Sequence, residues 1–303
     1  MFKDNNWYGH RKILLNHCSI KDQNIYASVQ HGWYNTLSID NLHKIKTTKI
    51  PGAIHLCWNK KIENIYKKMN YKNVVSIGAP FLYLQNQLHD LEDKLHDLED
   101  IGTIIFPPHS DNEHNFPVKS KHELVIQYVI KNFPAPYTVC LFYSDLNPEI
   151  IKLYQKRGIE VVSCGDRHNI NFLIDFTRFV KKKKYVIVND LTSAYLYALF
   201  LRKKTKLVTH LYDDGKLHSI KNIWRNGEAN IITNIEQDKI FDYYKIFFDE
   251  KTSLEEKRNF ALEELGYDSM KNPKQLKNLL GKNNIFKNVG AQLLYKFKKY
   301  LYK

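Results

Sequence analysis

His31 stands between a β-rich run, Tyr26-Ala-Ser-Val-Gln30, and the pair Gly32-Trp33. An imidazole titrates near neutral pH and can take a proton from a hydroxyl, and a glycine beside it lets a substrate approach the backbone. Similar placements recur along the chain. Pro107 and Pro108 fix a rigid turn after Phe106 and deliver His109 and Ser110, which could meet a phosphate. Ser144 and Asp145 follow another apolar run, and Gly165, Asp166 and Arg167 follow a third. Gly165 permits a tight turn, Asp166 can accept from a ribose or base edge, and Arg167 or His168 can pair with phosphate charge. In Asn189-Asp190-Leu191-Thr192-Ser193 the last two residues open a helix, where free N–H groups and the dipole attract an anion. Each has a plain alternative. His31 could be a structural histidine, His109 and Ser110 an exposed proline turn, and Asp190 or Thr192 a simple N-cap.

These residues share one kind of position. Short runs rich in Val, Ile and Tyr alternate with helix-length stretches, the pattern of parallel βα units, and open α/β sheets bind ligands at the carboxyl ends of their strands. The spacing predicts a first set of strands at Lys12–Leu15, Tyr26–Val29, Ala53–Cys57 and Val74–Ile77. A second set falls at Thr103–Phe106, Thr138–Phe142, Glu160–Ser163, Tyr185–Val188 and Lys206–Val208. Helices are expected at Lys121–Asn132, Pro148–Lys156, Ile170–Lys181 and Thr192–Arg202 within the second set, and at Asn234–Phe248, Ser253–Leu265 and beyond Ile285. The expected fold is α/β with two Rossmann-like domains, the N-terminal one reduced, followed by C-terminal helices. The boundaries would be 1–87 for an acceptor-side domain, 88–100 for a helical linker, 101–230 for a nucleotide-sugar-binding domain and 231–303 for the helices.

Residues 88–100 repeat Leu-His-Asp-Leu-Glu-Asp almost unchanged, with Leu88, Leu91, Leu95 and Leu98 on a heptad seam. The repeat is either a duplication of little consequence or a helix that pairs with a second copy to make a homodimer. The tail puts Phe286, Val289, Leu293, Leu294, Phe297, Tyr300 and Leu301 on one face and lysines on the rest. Such a helix either binds an anionic membrane surface or docks on its own domain.

The formal charge of +14 leaves nucleic acid, an anionic membrane face or anionic substrates as partners. Dispersed lysines and the lack of a helix-turn-helix, zinc finger or RNA-binding signature argue against nucleic acid. Cys18, Cys57, Cys140 and Cys164 form no CxxC pair, and buried reduced thiols are expected. A polar N-terminus and the lack of an 18-residue apolar run suggest a cytoplasmic protein, able to sit on the inner face of the membrane. There is no GxxxxGK[ST] loop, no GxGxxG fingerprint and no DxD in the strand-end series, so a metal-free cleft is expected.

The order of motifs resembles bacterial cell-surface glycosyltransferases of the two-Rossmann (GT-B) type, and the polyol-phosphate transferases of like architecture. The matching segments are His31-Gly32, Gly78-Ala79-Pro80, Pro108-His109-Ser110 and Asn189 through Ser193 with Ala198. They span roughly residues 25–210. The resemblance implies transfer of a sugar from a nucleotide-activated donor to a capsule or lipooligosaccharide acceptor, without a metal or other cofactor. His31 would be the base, with Gly32 and Trp33 on the acceptor side. His109, Ser110, Asn189, Thr192 and Ser193 would hold the donor phosphates, and Gly165, Asp166 and Arg167 would line the nucleotide pocket. Two other readings are a CDP-polyol phosphotransferase and a non-catalytic basic scaffold for membrane or nucleic acid.

Overall fold

The computed structural model describes residues 3–33, 53–71, 73–92, 100–107, 119–189, 192–208 and 251–281. It is an α/β protein whose strands are all parallel-paired, with nine α-helices among the described residues. Two compact units divide it. The first comprises Met1–His96, Arg167–Leu173 and Leu262–Lys303, the second Asp97–Asp166 and Ile174–Ala261.

In the first unit β1 (Ala27–Val29), β2 (Ile54–Cys57) and β3 (Val74–Ser76) lie in that order. Ala27 pairs with Ile54 and Leu56 with Val75. A 3-10 turn (Lys3–Gly9) leads into α1 (His10–His17); α2 (Lys60–Lys68) and α3 (Pro80–Glu92) follow β2 and β3. The strand expected at Lys12–Leu15 is thus part of a helix. His10, Ile13 and Leu14 are buried at helical spacing, and Lys12 and Asn16 face solvent. A three-residue apolar run carries no periodicity of its own and fits either element. Asn59 caps α2 by accepting from the Ile62 N–H, a bond that satisfies one of the orphan donors of the first turn. The heptad repeat enters α3 through Leu88 and Leu91, and its second half lies outside the described residues.

The second unit holds β4 (Thr103–Phe106), β5 (Tyr137–Cys140), β6 (Glu160–Val162), β7 (Tyr185–Val188) and β8 (Lys204–Leu207). Their order is β6-β5-β4-β7-β8. The chain therefore lays β5 and β6 on one side of β4, then crosses to put β7 and β8 on the other. The connecting helices are α4 (Lys119–Asn132), α5 (Pro148–Gln155), α6 (Phe172–Lys181) and α7 (Ser193–Phe200). Val125, Val129, Tyr154, Ile105, Val139 and Ile187 are fully buried between helices and sheet, each aliphatic side chain contributing about 1.5–3 kcal/mol. Near-continuous Val and Ile in β4 and β7 follow from burial on both faces of a parallel sheet.

Of the C-terminal helices, α8 (Leu254–Leu265) and α9 (Pro273–Leu280) are described. A capping box between Asn272 and Gln275, with Pro273 in the first turn, starts α9. The helix expected at Asn234–Phe248 and the basic tail lie outside the described residues. All four cysteines are buried and free.

Candidate functional site

His31 lies just beyond the carboxyl end of β1, and Gln30 decides where it points. The Gln30 N–H donates to the Leu56 carbonyl at 2.9 Å and its Oε1 accepts from the Trp58 N–H at 3.0 Å. Its carbonyl accepts from the Trp58 indole at 3.0 Å, and its Nε2 donates to the Gly32 carbonyl at 2.7 Å. Every polar group of Gln30 is used, so the ends of β1 and β2 are tied and the residue after Gln30 leaves the sheet in one direction. Neither the hydrophobic pattern nor the HG dipeptide marks this glutamine. Gly32 leaves open space among the described residues where a Cβ would sit. Trp33 donates its indole N–H to the buried Glu264 carboxylate at 2.8 Å, so its side chain anchors the C-terminal end of α8, which belongs to the first unit.

Trp7 packs on His31 and carries two further groups. It meets the His31 ring edge-on at 4.5 Å between centroids, the Arg167 guanidinium lies over Trp7 at 4.9 Å, and the Trp7 indole donates to His168 Nε2 at 3.2 Å. That last bond requires the His168 proton to be on Nδ1. Trp7 is brought here by a tight reversal, with Tyr8 and Gly9 both left-handed (φ 57° and 78°) and the Tyr8 N–H donating to the Arg167 carbonyl at 2.6 Å. A Cβ on Gly9 would collide with the Ile170 carbonyl oxygen, so both conformation and space demand glycine. The sequence signal, Trp7-Tyr8-Gly9 before a helix, is visible but has no chemistry of its own.

Burial lowers the His31 pKa below the usual imidazole range; Asp4 pulls it back up and Arg167 pushes it down. A depressed value leaves His31 neutral and able to accept a proton near pH 7. Two further imidazoles lie within its field. Burial, with His31 as the lesser cause, takes His10 to about 3 and His55 to about 4. His55 Nδ1 is 3.2 Å from the Ser28 hydroxyl, and neither ring nitrogen of the buried His10 has a hydrogen-bond partner among the described residues.

In the second unit the crossing between β4 and β7 is the topological switch point, where open parallel sheets bind ligands. Asn189 follows β7 there, its N–H donating to the Phe106 carbonyl at 3.1 Å. It is only 3% exposed, and neither the oxygen nor the nitrogen of its amide has a partner among the described residues. An unpaired buried amide costs about 1–3 kcal/mol, and such groups concentrate where a ligand completes them. Thr192 occupies the N-cap position of α7, yet its side chain makes no capping bond. Ser193 is the first residue of that helix.

Gly165 is left-handed (φ 80°), as a tight turn after β6 requires, and its N–H donates to Ser163 Oγ at 3.0 Å. Asp166 ends that stretch of the second unit, and Arg167 begins the first unit's share. The structure therefore brings Arg167 together with His31 at Trp7, within the first unit. His109 and Ser110 lie outside the described residues. Among the described residues no three His, Cys, Asp or Glu side chains cluster as metal ligands, and no helix is long and apolar enough to cross a membrane. In comparisons with protein-family models, curated proteins and solved structures, the chain matches none.

Proposed function

We propose that this chain is a glycosyltransferase that moves a sugar from a nucleotide-activated donor to a cell-surface polysaccharide or lipooligosaccharide acceptor. The observation that carries the reading is the buried Asn189 amide, without a partner among the described residues, at the β4–β7 switch point, beside the start of α7, where the Thr192 side chain makes no capping bond. An amide offers one donor pair and one acceptor, which suits a hydroxyl-rich or nucleotide ligand. The α7 N–H groups would hold the diphosphate and stabilise it as it leaves. His31, neutral by burial, is the base on the acceptor side. It takes the acceptor hydroxyl proton as the oxygen bonds to the anomeric carbon and the bond from that carbon to the nucleoside diphosphate breaks. The reaction needs no metal in this scheme. The charge of +14 suits an acceptor presented at an anionic membrane face.

The test is transfer from a panel of labelled nucleotide sugars to lipid-linked glycan acceptors. His31→Ala should reduce turnover about 100-fold or more while leaving the circular dichroism spectrum unchanged. Wild-type turnover in that variant would remove His31 from the mechanism.

A further inference from the structure

We infer that Arg167, carried on the Trp7 ring beside His31, binds an anionic group of the acceptor, a phosphate or a carboxylate. The guanidinium is half-buried and stacked at 4.9 Å on the indole, and its backbone carbonyl is tied to the Tyr8 N–H at 2.6 Å. No carboxylate pairs with it among the described residues. Of the other described arginines, Arg11, Arg178, Arg202 and Arg258 pair with Asp or Glu within 4 Å, and Arg157 stands exposed on the surface rather than half-buried on a ring. Ring stacking leaves the edge of the guanidinium, with its forked N–H donors, for an oxyanion. His168 accepts from the indole N–H, and the His31 ring packs on Trp7 at 4.5 Å between centroids. An anion at Arg167 would therefore lie next to the imidazole that accepts the proton, and would fix which hydroxyl of the acceptor meets it.

The identity of the anion-bearing molecule as an acceptor rests on the transferase reading of His31. Anion binding at Arg167 does not, and is measured without any transfer. Inorganic phosphate and acetate are titrated separately into the full chain at constant ionic strength. Trp7 emission is taken as the difference between the wild type and Trp7→Phe. A saturable Trp7 response is expected, weakened about ten-fold or more in Arg167→Gln and partly kept in Arg167→Lys, while Arg178→Gln behaves as wild type. A response to phosphate alone supports a phosphate-bearing acceptor, and a response to acetate as well supports a carboxylate-bearing one. No Trp7 response to either probe, or an equal response in Arg167→Gln, overturns the inference. Because Arg167→Lys keeps the charge, loss of binding in both variants with an altered circular dichroism spectrum would show Arg167 to be a packing residue, which also overturns it. Failure of the transferase reading would show instead as intact phosphate binding without turnover.

Discussion

At the carboxyl ends of the three-stranded sheet, side chains tie the strands to their neighbours, whereas the five-stranded sheet ends at β4 and β7 on an amide that no described residue holds. Gln30 joins β1 to β2; Glu63 of α2 accepts from the Ser76 N–H at 2.9 Å and hydroxyl at 2.6 Å, and so joins α2 to β3. Asn59 Nδ2 donates to the Glu264 carbonyl at 2.8 Å. With three strands the first unit has little apolar sheet to bury, so directional bonds take over part of the specification. The second unit has a continuous Val and Ile core, and can carry an unsatisfied group at its switch point. Fixed geometry suits a proton-transferring base, and an open hydrogen-bonding valence suits a ligand that arrives and leaves.

The difference can be broken at the tied end first. Glu63 is buried, and although burial alone would raise its carboxyl, hydrogen bonds from Lys60, Lys67 and Ser76 hold it at about 2. Glu63→Gln should cost about 3 kcal/mol, through the loss of charge-assisted bonds to a buried carboxylate. Three of the four tryptophans, Trp7, Trp33 and Trp58, belong to the first unit, so tryptophan emission during urea unfolding, compared with that of Trp224→Phe, reads the effect.

Acid should weaken the same unit. His10 and His55 hold folded values of about 3 and about 4 against 6.5 for a free imidazole. Between these values the unfolded chain binds more protons, so the stability is complete above pH 6.5 and drains as pH falls below it. From pH 7.5 to pH 5 the loss should be on the order of 2 kcal/mol per histidine, read as a lower urea midpoint. His10→Phe should flatten that dependence; an unchanged pH profile would mean that His10 is not buried neutral.

Gly9→Ala should cost about 2 kcal/mol, from the left-handed backbone and the clash with Ile170. It should also move Trp7 off His31, visible as a shift in Trp7 emission. The smallest effect has the opposite sign. Asn189→Leu replaces an unsatisfied amide by an apolar group of similar size and should stabilise the second unit by about 1 kcal/mol. A destabilised variant would show that the amide is satisfied after all.

Much of the second unit could be read in advance. Thr103–Phe106 and Tyr185–Val188 are strands with the expected bounds, since long β-branched runs flanked by turns have one interpretation. The first unit was harder because its order depends on polar side chains. Nothing in the types of Gln30, Glu63 or Glu264 announces burial, and Lys12–Leu15 has helix and strand readings of equal merit. The neighbours of His31 and of Arg167 mark both as candidates, but nothing marks Trp7 or its packing with Arg167, because 160 positions of sequence separate the two. Chain proximity assigned Arg167 to the residues before it, and the fold assigned it to the N-terminal turn.

A thermal-shift panel of UDP-, CMP-, CDP- and GDP-based nucleotides, run on the wild type and on Asn189→Leu, tests the central claim most directly. A ligand that binds only the folded state raises its melting temperature in proportion to occupancy. One nucleotide class should stabilise the wild type, and the same nucleotide should lose most of its effect on the otherwise more stable Asn189→Leu protein. No response to any nucleotide, or an equal response in both proteins, would contradict a donor site at the β4–β7 switch point.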